Sequence, residues 1–197
     1  MFDKSLLQIR NAARDAYYSP ERYDKYSTDI VYKVSHTSWN TWENTFDEWL
    51  PRFEEAGWLD DLNRIEVGNV FIDQSNDGEY EHSSRTIRLG AEISIDRTDE
   101  FVGHTHAHVL IHEMLHHVHM KRIWDGTREP TSDEIAAMAD RMGWTGNSHT
   151  FDIYVSKYAS KNFLEAVAET GTGLIIGEEY PDDVIDIYQS LNGPEPI

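Results

Sequence analysis

The segment that most constrains the fold is His112-Glu113-Met114-Leu115-His116, which matches the pattern H-E-x-x-H. On a helix, residues four apart lie one turn apart on the same face, so His112 and His116 can offer two imidazoles to one metal ion. Glu113 lies about 100° further round the helix, where its carboxylate can reach a water on that metal without binding the metal. Two histidine ligands and a glutamate base are the arrangement of zinc hydrolases.

The residues around the motif predict a mostly buried helix from about residue 100 to residue 123. Asp99 and Glu100 precede it, and Lys121 and Arg122 lie at its end, as the helix dipole favours. Apolar side chains recur at helical spacing within it, at Val109, Leu110, Met114, Leu115 and Val118.

Composition narrows the class of protein. The chain of 197 residues has no cysteine, which excludes disulfides and thiolate metal sites and leaves histidines and carboxylates as the strong ligands. Its 36 acidic and 17 basic residues give a formal net charge of -19, so no nucleic acid partner is expected. An acidic, lysine-poor surface suits a halophilic protein, and an ordinary acidic protein explains it equally well.

The hydropathy pattern predicts no contact with a membrane. No apolar run approaches the roughly 18 residues that a transmembrane helix needs. Residues 1–14 are polar and amphipathic and lack the apolar centre of a secretory signal. A cytoplasmic location is therefore expected, which would be the host cytoplasm or the virion if a virus encodes the protein.

Residues 1–60 are predicted to form a helical, aromatic-rich region, either separate from residues 61–197 or part of the same domain. Residues 3–16 have the pattern of a short amphipathic helix, and residues 29–34 that of a strand. Residues 39–56 predict a second helix with an aromatic stripe. We expect this stripe in the core rather than on a binding face, and it comprises Trp39, Trp42, Phe46, Trp49, Leu50 and Phe53.

Two further strands are predicted before the central helix. Residues 65–72 have strand composition, and residues 76–78 supply turn chemistry. Residues 85–93 alternate charged and apolar side chains, as a half-buried or edge strand does. In zinc peptidases an exposed edge strand beside the metal can pair with an extended substrate backbone.

Helices are predicted again in the C-terminal part of the chain. A capped short helix begins near residue 131, and residues 150–160 favour another. Longer helices are expected at residues 162–177 and 181–191. The remaining histidines of residues 101–120 are expected to be solvated or hydrogen-bonded, with some supporting metal ligands.

Three residues compete for the place of third metal ligand, since a catalytic zinc usually has three protein ligands and one open position. Glu165 and Glu169 share one face of a largely apolar helix, where carboxylates are costly unless they are paired or bound to a cation. His149, followed two residues later by an aromatic residue, resembles the third ligand of SprT-like peptidases. His108 shares the helical face of His112 but cannot converge well on the same ion.

The pattern Ser156-x-Tyr158-Ala159-x-x-Asn162-x-x-Glu165-x-x-Ala168-Glu169 resembles the second half of the anthrax lethal factor-type gluzincin domain, which includes phage and toxin relatives. In that family H-E-x-x-H is followed by a tyrosine, by a glutamate ligand seven positions later, and then by Ala-Glu. The resemblance covers roughly residues 85–178, while residues 1–80 match no family pattern. Ala159 and Ala166-Val167 replace the family's glycine and large aromatic residue.

The resemblance implies an α+β, zincin-like fold with a small mixed or antiparallel sheet, an active-site helix and a second ligand-bearing helix. It implies that His112, His116 and Glu165 bind one Zn²⁺ per chain and that Glu113 is the base. Tyr158 would face the substrate, and Glu169 would be a supporting acid.

The leading functional hypothesis is therefore a zinc-dependent endopeptidase that hydrolyses peptide bonds of a protein or peptide substrate with a Glu-activated, zinc-bound water. Three alternatives stay open. One is a SprT-like metallopeptidase with His149 as third ligand. The second is a virion or assembly protein that uses a peptidase-like fold, with residues 1–60 as its docking surface. The third is metal-dependent hydrolysis of something other than a peptide.

Overall fold

The strands alternate apolar and polar side chains, and in space they form one five-stranded sheet. The computed structural model describes the chain in five stretches, residues 21–73, 76–93, 100–103, 105–144 and 148–197. The helix predicted at residues 3–16 and His104 lie outside them. Within these stretches, no helix has both the length and the apolar composition needed to cross a membrane.

The described stretches contain five strands and six helices. The strands are β1 (Glu21–Tyr23), β2 (Asp29–Tyr32), β3 (Arg64–Val67), β4 (Gly78–Glu81) and β5 (Thr86–Leu89). The helices are α1 (His36–Glu55), α2 (His106–Ile123), α3 (Ser132–Arg141), α4 (Ser148–Tyr154), α5 (Phe163–Ile176) and α6 (Asp182–Ser190).

The sheet is mixed, with the strand order β1-β2-β3-β5-β4. Its three inner strands, β2, β3 and β5, are parallel, and each edge strand is antiparallel to its neighbour. A sheet of this kind with six helices agrees with the predicted α+β class. Because β2 pairs with β3, residues on both sides of position 60 belong to one sheet.

The pairing register gives the sheet one apolar and one polar face. Ile30, Ile65, Ile87 and Tyr80 stand side by side across four strands, and helices α1 and α2 pack on this face. The other face carries a row of ion pairs, most of them between neighbouring strands. In this row Arg88 contacts Glu66 at 3.2 Å and Glu81 at 2.8 Å, and Arg64 contacts Glu66 at 3.4 Å and Asp29 at 3.1 Å.

The aromatic stripe of α1 is buried, as predicted. All six members lie in the core cluster that they share with the sheet and α2. The Trp42 indole N–H donates to the carbonyl of Gly90 at 3.0 Å, so its polar atom is satisfied there. Pro51 lies within the helix, on its exposed side, and does not end it.

Residues 85–93 are predicted to form a half-buried or an edge strand, and of these two alternatives the edge strand is wrong. Strand β5 lies between β3 and β4, and its alternation reflects one face of ion pairs rather than a solvent-facing edge. The edge next to α2 is instead β4, which begins at Gly78, where the sequence pattern predicts a turn.

Helix α2 begins six residues later than predicted. Thr105 is its N-cap, with an extended backbone, and its hydroxyl accepts from the His108 N–H at 3.3 Å. The Glu100 carbonyl accepts from the Tyr158 N–H at 2.9 Å, which ties that residue into a loop contact. The end of the helix, with Lys121 and Arg122 in its last turn, agrees with the prediction.

The C-terminal helices form a second apolar cluster against the far side of α2. Helix α3 has the predicted capping box between Thr131 and Glu134. Helices α5 and α6 lie within one residue of their predicted limits, whereas α4 is a shorter helix than the predicted 150–160. Buried His119 of α2 joins this part of the chain to the core, because its Nε2–H donates to the Leu191 carbonyl at 2.8 Å.

Buried His119 should make the free energy of unfolding depend on pH. Burial lowers the pKa of His119 to about 4, despite the hydrogen bond to Leu191. An unfolded histidine has a pKa of about 6.5, so the unfolded chain takes up a proton between these values and the folded chain does not. The free energy of unfolding should therefore fall as the pH drops from about 6.5 to 4, by up to about 1.4 kcal/mol per pH unit from this group.

The measurement is urea unfolding of metal-free protein at several pH values. His119→Gln should flatten this pH dependence, because glutamine can still donate to Leu191 but does not titrate. The control is His149→Gln, which changes an exposed histidine and should leave the slope unaltered. Equal slopes in wild type and His119→Gln would contradict the prediction.

Candidate metal centre

A cleft of about 380 Å³ lies between strand β4 and helices α2 and α5. The five residues predicted from the sequence, His112, Glu113, His116, Tyr158 and Glu165, all line it. They come from α2, from the loop before α5 and from α5 itself, and the folded chain brings them into one place.

Three side chains of the cleft present their ligand atoms to one point. The Nε2 atoms of His112 and His116 are 3.1 Å apart, and each lies 3.2 Å from Oε2 of Glu165. Among the described residues, these three form the one group of histidines, cysteines or carboxylates with this convergence.

The spacing suits a zinc ion. Tetrahedral zinc with bonds of about 2.0–2.1 Å to nitrogen and oxygen places its ligand atoms about 3.3 Å from one another. The three separations of 3.1, 3.2 and 3.2 Å lie close to that value. The two-histidine, one-carboxylate set is also that of several zinc hydrolases.

Glu169 orients the first of these histidines. Its Oε1 accepts from Nδ1 of His112 at 2.8 Å, so Nε2 of the same ring is left to face the cleft. The other oxygen, Oε2, accepts from the Ser156 hydroxyl and from the Val102 N–H, each at 2.8 Å. Glu169 is 3% exposed, and these three donors compensate for the burial of its charge.

The N-cap of helix α5 and its close packing against α2 position the two carboxylates of the helix. Asn162 is the N-cap, and its side chain accepts from the N–H groups of Leu164 and Glu165. Glu165 and Glu169 then lie one turn apart. At Gly171 a Cβ atom would come within 2.9 Å of the methyl groups of Leu115, so glycine allows α5 to lie this close to α2.

Glu113 lies next to the three convergent ligand residues, and its carboxylate is close to the edge strand. Its side chain is 6% exposed, and burial raises the pKa of its carboxyl although His112 and His116 act in the opposite direction. Strand β4 passes it at Gly78, where a Cβ atom would lie 2.7 Å from Glu113 Oε1. The sequence pattern does not predict this contact, since residues 76–78 have the composition of a turn although β4 begins at Gly78.

The charges of the cluster favour a cation between its carboxylates. Burial would raise the pKa of Glu165, but His116 and His112 outweigh it and hold that pKa well below its usual range. Burial would likewise lower the pKa of His112, but the carboxylates of Glu165 and Glu169 raise it well above its usual value. Both directions mean that positive charge is stabilised at this point.

Tyr158 lies beside His112 and lines the cleft. Its ring centroid is 5.9 Å from that of His112 and 4.4 Å from that of Phe101. The Lys161 ammonium sits 3.7 Å from the centre of the Tyr158 ring. These two neighbours hold the tyrosine over the cleft, and neither was predicted from the sequence.

Neither competing third ligand, His149 or His108, belongs to the convergent group of ligand atoms. His149 is exposed on α4 and does not line the cleft. His108 lines the cleft, but its Nδ1 contacts the hydroxyl of Thr105 at the helix N-terminus. Glu165 is therefore the residue whose position fits that role.

The role of Glu169 can be tested through metal affinity. Glu169→Gln removes the charge behind His112 but keeps the shape of the side chain. Loss of such a supporting group typically weakens metal binding about 10- to 100-fold. Competition with a chromophoric chelator measures the change, and Glu179→Gln, at an exposed acid beyond α5, is the control. Identical zinc affinity in wild type and Glu169→Gln would show that Glu169 does not support the ligand.

No family model, curated protein or solved structure matches this chain.

Proposed function

We propose that the chain is a zinc-dependent endopeptidase of the gluzincin type. The observation that carries the proposal is the convergence of His112, His116 and Glu165 within 3.2 Å, next to the buried carboxylate of Glu113. A bound zinc ion would polarise the scissile carbonyl and acidify a water molecule.

Glu113 is the proposed proton carrier. It lies on the same helix as both histidines, and its carboxylate is within the cleft rather than part of the ligand group. A carboxyl whose pKa is raised by burial exchanges protons closer to neutral pH than an exposed one. Glu113 would take a proton from the attacking water and deliver it to the leaving amine.

Tyr158 is the proposed donor to the developing oxyanion. Its ring lies beside His112 and is held there by Phe101 and Lys161. A donor in this position stabilises the charge that grows on the carbonyl oxygen during attack.

Strand β4 supports a peptide as the substrate. It is an edge strand, paired with β5 on one side, and residues 76–80 line the cleft on the other. An extended peptide could add to this edge by backbone hydrogen bonds, which would present its carbonyl groups to the metal group.

The interaction-protein alternative has less support. It needs an apolar docking surface in residues 1–60, but within the described part of that region, residues 21–60, the aromatic stripe of α1 is buried in the core. The intact ligand group with an adjacent buried base is also a costly arrangement for a scaffold.

Metal content separates the two ligand hypotheses. Purified wild-type protein should retain about one zinc per chain after mild dialysis. Glu165→Ala should lose it, because one of three ligand atoms is missing, whereas His149→Ala should keep it. Elemental analysis is the measurement. Loss of zinc in His149→Ala alone would favour the SprT-like arrangement, and a zinc-free wild type would refute the proposed centre.

Turnover tests the role of the base. Glu113→Gln should keep the metal and lower kcat by about 10²–10⁴-fold, because proton transfer is lost. Tyr158→Phe should lower kcat by about 10²–10³-fold with little change in metal content. Cleavage of a peptide library, scored by mass spectrometry, is the assay, with Glu178→Gln as an exposed-acid control. Full peptidase activity in Glu113→Gln would contradict a mechanism in which Glu113 transfers the proton.

A further inference from the structure

A chain of hydrogen bonds that plays no part in metal binding runs through the edge strand. The Tyr80 hydroxyl lies 3.1 Å from Nδ1 of His117 and 3.2 Å from Nδ1 of His82. Nε2 of His117 contacts the Asp60 carbonyl at 3.2 Å, and Nε2 of His82 contacts the Gly126 carbonyl at 3.0 Å. These hydrogen bonds thus connect the loop before β3 with the segment after α2.

The proton positions in this chain follow from the two carbonyl groups. A carbonyl only accepts, so Nε2 of His82 and of His117 must each carry a hydrogen. In the neutral rings both Nδ1 atoms are then acceptors that face the same hydroxyl. Tyr80 has one hydroxyl proton, so it donates to one imidazole at a time. His82 and His117 are 6% and 1% exposed, which keeps water from replacing the hydroxyl easily.

The hydroxyl of Tyr80 lies close to the point where the edge strand passes the base. Gly78 and Tyr80 are two residues apart on the same face of β4, a rise of about 6.8 Å. Glu113 and His117 are four residues apart on α2, a rise of about 6 Å. Gly78 therefore faces Glu113 while Tyr80 faces His117 one turn further on.

We propose that Tyr80 is a positioning residue: its hydroxyl, held between His82 and His117, fixes strand β4 against helix α2 and thereby fixes the edge strand relative to Glu113. The inference rests on the proposed function, in which β4 binds the substrate backbone and Glu113 is the base. It gives a half-buried tyrosine of the cleft wall a role in catalysis without contact with the reacting atoms.

The test compares two tyrosine-to-phenylalanine variants in the same sheet. Tyr80→Phe removes the hydroxyl from the chain of hydrogen bonds. Tyr32→Phe is the matched control, because its hydroxyl donates to Glu21 at 2.7 Å on strand β1, at the opposite edge. Tyr80→Phe should lower kcat by about 10- to 100-fold with zinc content unchanged, since small displacements of reacting groups have effects of this size. Tyr32→Phe should leave kcat unchanged.

Hydrogen exchange supplies a readout that needs no activity. The amides of residues 78–81 should exchange faster in Tyr80→Phe than in wild type or Tyr32→Phe. His82→Leu, which leaves the contact between Tyr80 and His117, should give the same changes with smaller size. Unchanged exchange in β4 of Tyr80→Phe overturns the inference, and so does an equal loss of kcat in both tyrosine variants.

The two proposals fail in different ways. A zinc-loaded wild type that cleaves no peptide would refute the endopeptidase, while hydrogen exchange would still decide whether Tyr80 holds β4. An active wild type with kcat and exchange unaltered in Tyr80→Phe would refute the role of Tyr80 alone.

Discussion

The cleft depends on the pairing of buried carboxylates with imidazoles across the contact of α2 and α5. Glu165 and Glu169 face His112 and His116, and these groups are all largely withdrawn from water. A carboxylate without a partner in such a place would cost several kcal/mol, so the two helices must stay in register for the charges to match. The close approach at Gly171 and the cap at Asn162 serve that register.

Sequence reasoning succeeds where a pattern is local. The H-E-x-x-H helix and the aromatic stripe of α1 follow from helical periodicity, which a single segment displays by itself. The roles expected for Tyr158 and Glu165 rest instead on the resemblance to the gluzincin motif, which is also a local pattern. Each of these elements is a helix in the structure or borders one. The burial of the stripe follows too, because six large apolar side chains on one helical face have to leave water.

Sequence reasoning fails where the structure of a segment depends on contacts with another segment. Strand β4 consists of Gly78, Glu79, Tyr80 and Glu81, a composition with little strand preference, and it is a strand because β5 pairs with it. The interior position of β5 likewise depends on β3 and β4 rather than on its own alternation. His82 and His117 belong to the same category, since their common partner lies on a strand that the pattern does not reveal.

The glycine at position 78 limits the directions in which the neighbouring carboxylate can turn. The main chain of β4 at Gly78 packs against one side of the Glu113 side chain, and helix α2 itself lies on the other side. The acid lines the cleft that His112 and His116 also line. Its orientation is set by the backbone of a neighbouring strand, so it does not depend on a side-chain partner that solvent or substrate could displace.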